Sequence, residues 1–219
     1  MKAGSRILGG MTGGNQSVDL AAGLKEALRV GTETVVGQLG TTDGFNRDRT
    51  IRIPLPRRLD ATRDWMGKVG MGGSLDDLET RLNRAVEAAT PKAKRIFWQS
   101  IREMTLKDAK AIFNGPPDAA TQFFKAKMGP RLKTEMRPVI VSSLSRVGAI
   151  QKYDEIVARY QKIPVAPKLA PDLKSTLADH TLDGALNGLF HYLAKEEAAI
   201  RQNPAKRTTE LLRRVFGSR

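Results

Sequence analysis

Cysteine is absent from the 219-residue chain, which excludes disulfides and thiolate metal sites. It leaves the compartment open, because a secreted chain can also lack cysteine. Aromatic residues make up only 5%, so a core has to be built from Leu, Ile, Val, Ala and Met. The two histidines are His180 and His191. On one helix they would stand roughly 16 Å apart, too far to share a metal ion, and they read as structural or solvent-facing. No apolar run has the length of a membrane span, and the first residues contain none of signal-peptide length. The expectation is an intracellular protein if Met1 is the native start, and a periplasmic one if a signal peptide has been removed.

Catalytic signatures are missing as well. There is no HExxH, no phosphate-binding loop ending in Lys-Ser/Thr, no GxSxG and no EF-hand loop. Gly70-Met71-Gly72-Gly73 lacks a preceding strand and reads as a linker. The carboxylate pairs Asp76/Asp77 and Glu196/Glu197 occupy adjacent helical positions, which diverge by about 100° and do not form an acid/base pair. The first pair suits a helix N-terminus, and the second an outward, solvated face. Neither enzymatic activity nor a cofactor or metal is expected.

Positive charge is abundant. Lys and Arg number 37 against 23 Asp and Glu, a net charge of +14 with pI near 10.3. Such an excess favours a polyanionic partner: nucleic acid, an anionic membrane face or an acidic protein lattice. The cations concentrate in Lys92, Lys94 and Arg95; in Lys125, Lys127, Arg131 and Lys133; and in the tail at Arg201, Lys206, Arg207, Arg213, Arg214 and Arg219. Arg47, Arg49, Arg52, Arg57 and Arg58 flank the segment Ile51-Arg52-Ile53-Pro54-Leu55-Pro56. Any one group could be an ordinary solvated helix face, but the total excess is harder to explain that way.

Apolar spacing predicts an all-α multi-helix bundle. Residues 1–16 are Gly-rich and form an expected flexible arm, and 17–219 an expected single domain. Ser17 or Asp19 is expected to cap a helix running to Leu39. Residues 50–56 are expected to be an extended, Pro-containing strap. Helices follow over 57–69, with Leu59, Trp65, Met66 and Val69 inward, and from a Ser74 cap. Thr90-Pro91 reads as a helix restart and Gly129-Pro130 as a break, with Pro138 kinking or dividing the helix over 131–147. A helix over 150–160, a Pro-rich connector over 163–171, a long helix over 179–202 and a last one after Asn203-Pro204 complete the chain.

The most punctuated stretch is Met104 to Phe124. Thr105 and Asp108 suit a capping pair, Asn114-Gly115 suits a left-handed helix end, and Asp118 and Thr121 open the next helix after Pro116-Pro117. This polar set reads as capping, with a small-ligand or partner contact as the other reading. That corner, the tail Asn203-Pro204-Ala205…Arg207-Thr208-Thr209…Val215-Phe216-Gly217, the strap, Gly23-Leu24-Lys25-Glu26-Ala27-Leu28 and Asn83-Arg84-Ala85 together resemble the DUF4197 family. The resemblance covers nearly the whole chain from Ala21. It implies a predominantly helical fold, a mainly bacterial and usually exported distribution, and no assigned activity; the missing signal peptide is a departure from it.

The function expected from charge is a structural protein docking through basic helix faces on an acidic protein assembly, with the tubulin lattice of an axonemal microtubule as one such surface. An exported helical module binding a lipid or small apolar ligand is the alternative. Nonspecific nucleic-acid binding is a third, without the exposed aromatics or recognised module such a reader usually carries.

Overall fold

The computed structural model describes residues 12–164, 166, 173–207, 209–210 and 213. They form eight α-helices: α1 (Thr12–Leu39), α2 (Arg57–Asp60), α3 (Arg63–Lys68), α4 (Gly72–Glu103), α5 (Leu106–Phe113), α6 (Ala119–Arg146), α7 (Ala149–Tyr160) and α8 (Leu173–Gln202). A 3-10 turn follows at Pro204–Lys206, and no strand occurs among the described residues. The fold is all-α. Two compact units can be distinguished. One comprises Met1–Val35, Arg95–Met128 and Tyr192–Arg219, the other Val36–Lys94 and Gly129–His191.

Two expected breaks do not exist. Helix α6 runs through both Pro130 and Pro138, and α4 through Pro91. In α6 the buried residues Ala120, Phe124, Met128, Leu132, Met136, Ile140 and Leu144 recur every fourth position, an unbroken stripe across both prolines. The prolines sit on the opposite, exposed face, and so do Ala126 and Thr134, four residues before them. The carbonyls that lose a donor are therefore open to water, and stripe burial outweighs the cost of the rings. In α4 the Thr90 hydroxyl donates to the Val86 carbonyl at 2.8 Å. That is a mid-helix bond rather than a cap, and Ala89, Ala93 and Phe97 carry the buried face onward.

Other boundaries also move. Helix α1 includes Thr12–Gln16, expected in the arm, and α8 begins at Leu173 rather than near Asp179. Residues 57–69 hold two short helices instead of one, because the Thr62 hydroxyl closes on the Leu59 carbonyl at 2.7 Å. Val69, expected inward, is 50% exposed. Ser74 lies inside α4, which starts at Gly72. The Asn203 side chain does accept from the Ala205 amide, and a 3-10 turn, Pro204–Lys206, follows directly; Glu210 and Arg213 beyond it are helical. Most of the Pro-rich connector and of the expected last helix lies outside the described residues.

Within the second unit residues 52–56 of the strap are extended, as expected, without forming a strand, whereas Thr50 and Ile51 belong to the turn that leads into it. Its odd-numbered residues Ile51, Ile53 and Leu55 are buried while Arg52 and Pro54 are exposed, the two-residue alternation of an extended chain on a core. The buried Asn83 of α4 takes the place of a neighbouring strand. Its side chain accepts from the Ile53 amide and donates to the Ile53 carbonyl, both at 2.9 Å.

Candidate functional site

The corner between α5 and α6, in the first unit, is built by caps. Thr105 and Asp108 form the expected capping box. The Thr105 amide, and then its hydroxyl, hold the Asp108 carboxyl below the usual carboxylate range. Asn114 is not left-handed; it keeps helical angles, φ −85 and ψ −4. Asp118 does not cap the α6 amides, since its carboxylate accepts instead from the Gln122 side chain. The amides of Ala120 and Thr121 donate to Glu197 of α8, each at 2.9 Å, and the Thr121 hydroxyl does so at the same distance.

Glu197 was expected outward, and it is buried. Its position follows from what it meets: the positive end of α6 supplies donors, and Arg201 pairs with it at 2.9 Å. Arg201 also donates to the Ile112 carbonyl at the end of α5 at 2.8 Å. One Glu–Arg pair thus closes the end of one helix and the start of the next. Of the predicted polar set, Thr105, Asp108 and Thr121 are engaged in this structural work. Beside it lies a cavity of about 30 Å³, bordered by Leu24, Leu28, Gly31, Phe124, Leu193 and Ile200, with space for one or two waters.

The second unit contains a comparable anchor. Buried Glu87 accepts from the amides of Phe45 and Asn46 at 3.0 and 2.9 Å, and Arg84 bridges Glu87 to Asp43. The Asn46 side-chain NH2, followed by Arg84, holds the Asp43 carboxyl low. The loop leading into the strap is therefore fixed from α4. Beyond it the Arg52 guanidinium pairs with Glu79 at 2.9 Å, and the other Glu79 oxygen accepts from the Leu55 amide. His180 of α8 meets the Pro54 carbonyl at 2.8 Å. A carbonyl only accepts, so Nε2 of His180 carries the proton.

The strap seats against α8 where that helix has no side chains. A Cβ at Gly184 would stand 2.8 Å from the Ile53 side chain, and one at Gly188 would stand 2.6 Å from the Phe45 ring. Alongside this contact runs a groove of about 410 Å³ between Thr50–Pro54 and His180–His191. Both histidines border it.

The expected docking arginines are placed unequally. Arg47, Arg49, Arg52, Arg57 and Arg58 are all exposed. Arg47 pairs with Asp43 and Arg52 with Glu79, whereas Arg49 and Arg57 make no ion pair among the described residues. Arg207 is buried and donates to the carbonyls of Ile200 and Arg201; it terminates α8 and is not a surface cation. Arg213 is exposed and donates to the Arg207 carbonyl. Arg214 lies outside the described residues. No cluster of three or more His, Cys, Asp or Glu suited to a metal occurs among the described residues.

A family model described as a protein of unknown function, DUF4197, matches residues 14–217. The chain belongs to the DUF4197 family. No curated protein and no solved structure matches it. The matched range takes in the strap, the corner and the Glu197–Arg201 pair, so the DUF4197 domain here includes both anchoring networks. Sequence reasoning missed Glu197 and Glu87 as buried acids. The spacing Glu197–Arg201, one helical turn with Ile200 and Leu193 on the inward side, was the available signal for the first.

Proposed function

We propose that the protein is a non-enzymatic interaction module that docks on the acidic surface of a protein assembly through the arginines flanking the strap. The observation carrying this reading is the exposure of Arg49 and Arg57 without acidic partners among the described residues, next to a strap whose backbone is fixed by Asn83, Glu79 and His180. A cation on a fixed backbone loses less conformational freedom on association than one on a loose loop. Its guanidinium also presents a planar fork suited to carboxylates.

The lysines of α5 and α6 add to the field of the other unit: Lys107, Lys110, Lys125 and Lys127 are exposed. A tubulin lattice is an acidic assembly of the required kind, and a cytoskeletal or axonemal location accompanies that reading. Nucleic acid offers the same charge but would be held by charge alone.

Fractionation of native cells, with mass spectrometry of the N-terminus, tests the proposal. Recovery in an insoluble cytoskeletal fraction with an uncleaved start supports it. A processed N-terminus in an exported fraction overturns the tubulin form of it.

A further inference from the structure

The groove between the strap and α8 has a chemistry of its own. On the strap wall the Arg52 guanidinium spends Nε on Glu79, and its terminal amino groups make no hydrogen bond among the described residues. On the α8 wall Asp183 is held through Oδ1 by Lys133 at 2.7 Å, and that carboxylate keeps the Lys133 ammonium charged above its ordinary range. The second oxygen of Asp183 makes no hydrogen bond among the described residues, and the exposed Asn187 amide makes none either. Thr50 adds a hydroxyl to the lining.

Arg52 and Asp183 both line the groove, and each is oriented by a partner that does not line it while keeping further hydrogen-bonding capacity, the arrangement that fixes a recognition site. Opposite charges on facing walls do not select an anion or a cation. They match a molecule carrying both: a carboxylate for the guanidinium, and an ammonium for the aspartate. The volume, about 410 Å³, lies within the range of small-molecule sites, roughly 300–1,000 Å³, and a single amino acid or dipeptide fills it in part. Asn187, one helical turn along α8 from Asp183 and also on the groove wall, offers a donor and an acceptor for a peptide or side-chain amide.

We propose that this groove binds a small zwitterion of amino-acid size, its carboxylate on Arg52 and its ammonium on Asp183, with Asn187 bridging. The site is independent of docking by Arg49 and Arg57.

Titration of the isotope-labelled full chain with a pool of the common amino acids and with glycylglycine, followed by amide NMR, tests it. Millimolar ligand is expected to shift the amides of Thr50, Arg52, Gly184, Asn187 and Gly188. The responding ligand should lose about tenfold in affinity when its amine is acetylated or its carboxylate amidated, the weight of one charge-assisted bond. Asp183→Asn should lower affinity similarly and abolish the penalty for acetylation. Asn187→Leu, on an exposed helical position, should block binding while leaving the thermal transition in place. Absence of any shift for the whole pool, or equal binding of the blocked and free ligands, would overturn the proposal.

Discussion

Glu197 accepts from two backbone amides, a hydroxyl and a guanidinium, so its removal strands four groups in a buried setting. Breaking one side of a buried pair costs about 3–5 kcal/mol, and at roughly 2–4 °C per kcal/mol for a chain of this size Glu197→Ala should lower the melting temperature by about 6–20 °C. Calorimetry reads this directly, and a shift of only a degree or two would mean that water replaces the carboxylate. At Asp108 the folded-state carboxyl is held low. Its contribution is present above the unfolded value near 3.9 and is lost as pH falls through the lower folded value. Asp108→Asn should therefore be less stable by about 0.5–1 kcal/mol at neutral pH, with the gap to wild type closing in acid. Urea titrations across that range test the sign. Thr105 and Asp108 were legible because both partners lie three residues apart. Glu197 was not, because its partners lie 76 and 77 residues away in the chain.

At the scale of elements, the prolines were the misleading signal. Read locally, Pro91 and Pro130 break helices; the four-residue stripe of buried side chains in α6, visible only when the whole span is laid out, keeps the helix continuous. Since Pro130 is exposed and the stripe lies opposite, Pro130→Ala should restore a helical hydrogen bond and raise stability by about 1 kcal/mol or more. Loss of stability in chemical denaturation would show that the ring makes a needed contact. Gly188 gives the opposite case. Alanine is worth about 1 kcal/mol over glycine in a helix, yet its Cβ would enter the Phe45 ring at 2.6 Å, and overpacking costs typically 1–3 kcal/mol. Gly188→Ala should therefore destabilise, with altered amide exchange over the strap; a gain in stability would mean that the strap is not seated as described. The strap itself was legible from its prolines and alternating isoleucines. Its anchor on Asn83 was not, because a lone Asn in a helix carries no mark of what it bonds.

For the whole molecule, helical class and family membership followed from periodicity and motifs spread along the chain, while function rested on net charge alone. Side-chain placement sharpens that charge argument. It removes Arg207 from the surface, leaves Arg49 and Arg57 without acidic partners among the described residues, and adds the lysines of α5 and α6. Because these cations are solvent-exposed, their attraction for any polyanion is screened by salt over about 10 Å at 0.1 M. Salt dependence by itself does not separate an acidic protein from nucleic acid.

The most direct measurement is competition. Wild-type protein and the double variant Arg49→Glu/Arg57→Glu are sedimented with polymerised tubulin at fixed ionic strength, with and without excess duplex DNA. Docking through the strap predicts that wild type co-sediments despite the DNA, and that the folded double variant stays in the supernatant. If the double variant pellets as wild type does, or DNA strips the wild type from the polymer, the strap is not the docking surface for an acidic protein lattice.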